Sequence, residues 1–157
     1  MTEHLLNSFP PDRIQKAILV PGGAFRRKHE YRDEGQKKRF FFILNESPEK
    51  DDRLILVTAT TKIQERRQRR TGEVLVEITP HEYCPLESNS VIDCESCLVQ
   101  RKDLIEGQIR RHEIEPLQPV PQAILKRLWR AVSFSKTLAP VDKRLVLGDE
   151  GNSVSSG

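Results

Sequence analysis

The chain has 157 residues, enough for one domain with its own core and too few for two ordinary ones. Hydrophobic residues make up 36% and charged residues 31%, the balance of a polar globule, and no stretch approaches the roughly 20 apolar residues that span a bilayer. Residues 1–12 carry no basic segment followed by an apolar one, so no secretory signal is read and a cytoplasmic, membrane-free location is expected.

The net charge of +3 conceals a strong alternation. Residues 26–39 hold seven Lys/Arg against three Asp/Glu, and residues 62–70 hold five against one. Residues 71–97 then hold six acidic residues and no Lys/Arg. Blocks of this kind place a basic face on a nearly neutral protein, and a basic face attracts phosphate backbones. Solvated loops are an equal reading of the same runs.

In chain order, residues 1–15 form a polar leader with Pro10-Pro11, expected to be flexible. Residues 16–20 read as a short apolar strand that Pro21-Gly22-Gly23 ends, and 24–35 as a charged connection. Strands are predicted at about 37–44 and 53–61, both rich in aromatic and β-branched residues. The first carries Arg39 beside Phe40 to Leu44. An arginine in an apolar strand must find an anion or a carboxylate, because its charge is permanent and costly to bury alone.

Residues 65–72 read as a basic loop, 73–78 and 90–99 as strands, and 100–106 as a short helix stopped by Gly107. A helix is predicted at 121–136, with Ile124, Leu125, Leu128, Ala131, Val132 and Ser135 on one face. Lys126, Arg127 and Arg130 fall on the other. Many short strands with few helices suggest a small closed β architecture, since closure removes exposed edges. The domain is therefore placed at 16–138 and a disordered tail at 139–157.

Three cysteines argue against a disulfide framework and suit a reducing compartment. His81, Cys84, Cys94 and Cys97 are zinc-type ligands at a tight spacing, which leaves a small zinc-stabilised module as a third reading. A strand over 91–99 would point Cys94 and Cys97 to opposite faces, so neither a metal nor another cofactor is expected.

The order of these pieces resembles the MazF/PemK family of toxin ribonucleases across residues 16–137. The resemblance rests on Arg39 with Phe40 to Leu44, and on Ala59-Thr60-Thr61-Lys62-Ile63-Gln64. It extends through Ser90-Val91-Ile92-Asp93-Cys94-Glu95 and Arg101-Lys102-Asp103-Leu104 to Gly107-Gln108-Ile109. The chain departs from the pattern at Gln15-Lys16-Ala17-Ile18, at Phe40 where proline is usual, and after Glu95, where no second arginine follows.

The resemblance implies a mainly β fold, an SH3-like small β-barrel with a C-terminal helix. It also implies a homodimer that cleaves single-stranded RNA without metal and is held by an antitoxin protein. A barrel of the same ancestry that binds nucleic acid or protein without cutting is the alternative. RNA is cut when its own 2′-hydroxyl attacks the adjacent phosphate, which needs a proton acceptor and charge stabilisation at phosphorus.

At the positions that carry the resemblance, Arg39 is the candidate cation and Thr60 a phosphate-oxygen donor. Glu95 is the candidate base or a partner that orients Arg39. Each also has a plain structural role: an ion pair, a β-branched strand residue, a solvated carboxylate. Lys62, Arg66, Arg67, Arg69 and Arg70 are the candidate nucleic-acid contacts.

Overall fold

Strand β3 (Arg53–Thr60) has paired neighbours on both of its edges, and the rest of the molecule is arranged around it. The computed structural model describes residues 9–31 and 35–156, with side chains placed for 9–27 and 38–148. Before β3 come helix α1 (Pro11–Ile18) and strands β1 (Ala24–Tyr31) and β2 (Gly35–Ile43). After it come α2 (Ile63–Arg69), a 3-10 turn (Gly72–Val74), β4 (Leu75–Ile78), β5 (Ser90–Asp93) and β6 (Leu98–Arg101). The chain ends with α3 (Lys102–Arg110), β7 (Glu115–Leu117), α4 (Gln122–Ser133) and α5 (Pro140–Ser156). Among the described residues no helix is long and apolar enough to cross a membrane.

The sheet order is β4-β5-β3-β2-β1-β7, with β6 also on β3, and every pairing is antiparallel. This is the mainly β class with a C-terminal helix that the sequence implies. β5 and β6 occupy the same edge of β3 as two halves of one interrupted strand. Ile92 faces Ala59, so an unbroken strand would bring residue 95 to Leu56; Leu98 stands there instead. The register slips by three residues, and the chain from Cys94 to Cys97 forms a turn that leaves the β3 ladder. Asp93 Oδ1 closes that turn by accepting the Glu95 N–H at 3.0 Å. The single strand expected at 90–99 is corrected accordingly. The interruption also overturns the opposite-face argument for the cysteines: Cys94 is buried in one core cluster and Cys97 packs against the same cluster.

Both faces of the central strands are covered, which is why β3 reads as a continuous apolar run rather than an alternation. On one face Phe42, Leu44, Ile55, Val57 and Ala59 meet Ile92, Val76 and the α4 stripe of Ile124, Leu125, Leu128, Ala131 and Val132. On the other, Phe25, Phe41, Ile43, Leu54 and Leu56 meet Ile14 and Ile18 of α1 and Ile105 and Ile109 of α3. Trp129 Nε1 donates to the Leu44 carbonyl at 2.8 Å, fixing α4 over the end of β2. Asn45 shapes the β2–β3 turn: its Oδ1 accepts the Ile55 N–H at 2.7 Å, and its Nδ2 donates to Asp51 at 2.9 Å.

Three further segments differ from expectation. Residues 16–18 end helix α1 instead of opening a strand. Pro11 sits where a helix needs no N–H, and Ile14 and Ile18, four apart, form one buried face. The charged connection over 24–35 is largely strand β1, paired with β2 from Ala24↔Phe42 to Tyr31↔Gly35. Residues 140–148, expected within an irregular tail, open helix α5, whose Val146 is buried in the core. Asp142 accepts from Arg53 Nε at 2.7 Å and ties that helix to β3. The helix breaks at Gly148, which has φ 74°.

Candidate functional site

Strands β2 and β3 bring Arg39 and Thr60 together. Their last registered pair on that side is Phe41↔Thr58, and alternation carries Arg39 and Thr60 onto the same face two residues further on. Both line a depression of about 250 Å³ on the protein surface. Arg39 Nη1 donates to the Ala59 carbonyl at 3.4 Å, which holds the guanidinium along the end of β3. The Thr60 hydroxyl oxygen accepts the Lys62 backbone N–H at 3.3 Å as the chain leaves the strand. Lys62 lines the same depression.

Two cations that the sequence reading did not single out complete this wall. β1 and β2 place Arg26 opposite Phe40, and the Arg26 guanidinium lies 5.1 Å from the centre of the Phe40 ring. Lys38, two residues before Phe40, falls on the Phe40 face, opposite to Arg39, and lines the same depression. Arg26, Lys38, Arg39 and Lys62 come from both faces to one depression, against the single carboxylate of Glu87 among its described lining residues. A concave wall of one sign concentrates anions, and an arginine fork matches two phosphate oxygens at once. The signal for Arg26 was present in the sequence as an Ala-Phe-Arg alternation, but the charge density of 26–32 reads more readily as a loop.

Glu95 is placed elsewhere. It sits in the turn between β5 and β6, and its carboxylate accepts the Ser135 hydroxyl, the Lys136 and Thr137 N–H groups at 2.9 and 3.2 Å, and the Thr137 hydroxyl at 2.9 Å. Partial burial works against the charged form, but these hydrogen bonds outweigh it and hold the carboxyl down at about 2. A carboxylate so well satisfied is a weak proton acceptor. Its observed role is to fasten the segment between α4 and α5 to the sheet, and it neither orients Arg39 nor lines the depression.

The basic run is also altered by the fold. Residues 63–69 form helix α2, and its arginines meet the acidic block that follows. Arg67 grips Glu77 with two hydrogen bonds of 2.9 and 2.6 Å, an exposed pair that raises the arginine and lowers the glutamate from their ordinary values. Arg69 pairs with Glu65 at 3.1 Å. Arg70 pairs with Asp93 at 3.0 Å, and Arg66 approaches the same carboxylate at 3.8 Å. Much of the positive charge expected to face phosphate is thus compensated locally. Of the five residues proposed as nucleic-acid contacts, Lys62 alone lines the depression.

Among the described residues no three His, Cys, Asp or Glu side chains are grouped to hold a metal ion. The Cys94 thiol points to the Leu128 carbonyl at 3.9 Å, and the Cys97 thiol to the Cys94 carbonyl at 3.3 Å. Cys84 is exposed.

No family model and no curated protein matches this chain. Among solved structures, the fold is similar to an endoribonuclease in complex with its cognate antitoxin from mycobacterial species. Identity to that protein is 19%, over 76% of this chain and 96% of that one, with a TM-score of 0.48. The fold is also similar to MazE-MazF from Deinococcus radiodurans, at 13% identity over 74% of this chain and 94% of that one, with a TM-score of 0.49.

Proposed function

We propose that this chain binds single-stranded RNA with a phosphate held by Arg26, Lys38, Arg39 and Lys62, and that it cleaves the strand as the toxin of a toxin–antitoxin system. The observation that carries the reading is the convergence of those four cations beside the Thr60 hydroxyl in one depression. Arg39 opposes the charge that builds on phosphorus, and Thr60 fixes a phosphate oxygen. The nucleophile is the RNA's own 2′-hydroxyl. An antitoxin partner, a homodimer and a cytoplasmic setting belong to the same proposal, supported by the sequence resemblance. Incubating purified protein with long single-stranded RNA in EDTA, with product ends mapped, tests it. Discrete cuts ending in cyclic phosphate and 5′-hydroxyl are expected, and RNA left intact at high protein concentration would sink the cleavage claim.

One observation favours a second reading, a barrel that binds nucleic acid or a protein without cutting. Glu95, the sequence's candidate base, is committed to Ser135, Lys136 and Thr137. RNA binding with no cleavage in the same assay is the outcome that selects it.

A further inference from the structure

The Thr60 depression shares Arg26 and Lys38 with a larger neighbour of about 770 Å³. Three proton-exchanging side chains line that neighbour, His112, Glu113 and Glu115, of which Glu113 is held by Arg111. Glu115, on β7, stands against the shared wall: one carboxylate oxygen is 3.4 Å from Arg26 Nε and the other 3.7 Å from Lys38 Nζ. The first of these oxygens is buried with no hydrogen-bond partner among the described residues. Arg26 is its ion-pair partner, without the geometry of a hydrogen bond.

His112 follows α3 in a left-handed conformation, with φ 57°. Its N–H donates to the Ile109 carbonyl at 3.1 Å, and the Glu113 N–H to the Gln108 carbonyl at 2.9 Å. This is the Schellman end of a helix, where glycine is the favoured residue. A histidine there carries a conformational cost that glycine would avoid, and its exposed imidazole borders the depression. The other charged and polar groups facing the pair are Arg26 and Arg27 of β1, Lys38 of β2, Gln108 of α3, and Glu113, which Arg111 holds at 2.7 Å.

Two hollows with a cationic wall between them match two successive nucleotides and the phosphate that joins them. We infer that the shared wall of Arg26 and Lys38 seats the scissile phosphate, that Glu115 takes the proton of the 2′-hydroxyl, and that His112 protonates the departing 5′-oxygen. This rests on the ribonuclease reading above and places a carboxylate at the cationic wall, where Glu95 is not. In the step, the 2′ O–H bond breaks, a bond forms from that oxygen to phosphorus, and the phosphorus–5′-oxygen bond breaks. One proton ends on the Glu115 carboxylate and one leaves the His112 imidazolium. The products are a 2′,3′-cyclic phosphate and a free 5′-hydroxyl, and exchange with water resets both side chains.

The competing reading makes Glu115 an ion-pair partner and His112 a helix end. Single-turnover cleavage in EDTA between about pH 3.5 and 8.5 separates the two, using wild type, His112→Gly, His112→Asn, Glu115→Gln and Glu115→Asp. Each loss of a proton-transfer group is expected to slow cleavage about 10²–10⁴-fold while RNA affinity holds. The histidine variants lose the alkaline limb of the rate profile, Glu115→Gln loses the acidic limb, and Glu115→Asp retains it. His112→Gly is expected to melt about 2–4 °C higher than wild type, so its slower cleavage is not a folding defect. Wild-type cleavage with His112→Gly and His112→Asn at full rate, or with both limbs intact in the variants, overturns the pair and leaves the ribonuclease reading standing. No cleavage by the wild type overturns both.

Discussion

Arg70 and Asp93 meet at 3.0 Å across the contact between α2 and β5, and the aspartate side chain is only 5% exposed. Arg70 also donates to the Ser96 hydroxyl at 3.1 Å, so one guanidinium braces both the strand and the turn that interrupts it. Removing it leaves a buried carboxylate short of partners. Arg70→Ser is expected to cost about 1–3 kcal/mol in urea denaturation, well above the usual effect of a surface arginine. A midpoint unchanged from wild type would mean that Arg66 or solvent satisfies Asp93 unaided.

The arginines of α2 and the cations of the depression should respond differently to salt. Each phosphate contact on single-stranded RNA contributes about 0.7 to the slope of log affinity against log salt. Arg26→Ser with Lys38→Ser is expected to flatten that slope by about 0.7–1.4, since Glu115 alone balances part of their two charges. Arg67→Ser with Arg69→Ser should change it little, because Glu77 and Glu65 already balance those charges. Equal flattening in both double variants would restore α2 as part of the RNA surface.

Arg39→Lys keeps a positive charge and loses the planar fork that spans two phosphate oxygens. Loss of preorganised charge stabilisation should slow RNA cleavage on the order of 100-fold or more, while binding persists through the other cations. Single-turnover rates compared with equilibrium binding check this. A rate unchanged in the lysine variant would remove Arg39 from the chemistry.

Glu95 makes a prediction about acid stability. Its carboxyl titrates at about 2 in the folded protein against an ordinary 4.5, so the folded state binds its proton less readily than the unfolded chain. Its stabilising contribution is complete above about pH 4.5 and is lost as the pH falls through about 2. Glu95→Gln should therefore flatten the acid limb of a stability–pH curve and leave RNA cleavage at neutral pH unaffected. A large loss of cleavage with unchanged stability would return Glu95 to the active site.

The thiols give a simple probe of the interrupted strand. Burial pushes the Cys97 thiol up to about 12 and the Cys94 thiol well above its ordinary value, whereas Cys84 is exposed. A thiol-specific reagent at mildly alkaline pH should modify Cys84 rapidly in native protein, with the other two following only on denaturation. Fast native modification of all three would show that the turn opens readily.

What the sequence revealed depended on whether a signal was local. The α4 stripe from Ile124 to Val132 and the aromatic β2 run were legible because burial imposes a period on neighbouring residues. Arg39 and Thr60 were legible one by one, through the family resemblance; that they meet depends on the β2–β3 register. Helix α1 was missed because Ile14 and Ile18 give only two apolar positions, too few to distinguish a helix from a short strand. The break between β5 and β6 was invisible because Cys94-Glu95-Ser96-Cys97 has no glycine or proline to mark it. The local compensation of the α2 arginines depends on Glu77 and Asp93, which reach them only through the sheet. Glu115 could not be selected for the same reason: what distinguishes it is Arg26 and Lys38, carried on other strands.

The double coverage of β3 has a consequence for how the site behaves in time. The Leu54–Val57 segment is buried on both faces, with β6 paired along one edge up to Leu56 and β2 along the other from Leu56, so its amides should be among the slower to exchange with solvent. Thr60 is the last residue of that strand, and Arg39 is tied to it through the carbonyl of Ala59. The two side chains are thus anchored to the end of this buried strand. A ligand that reaches them meets groups already in position, and little of its binding energy is consumed in ordering them.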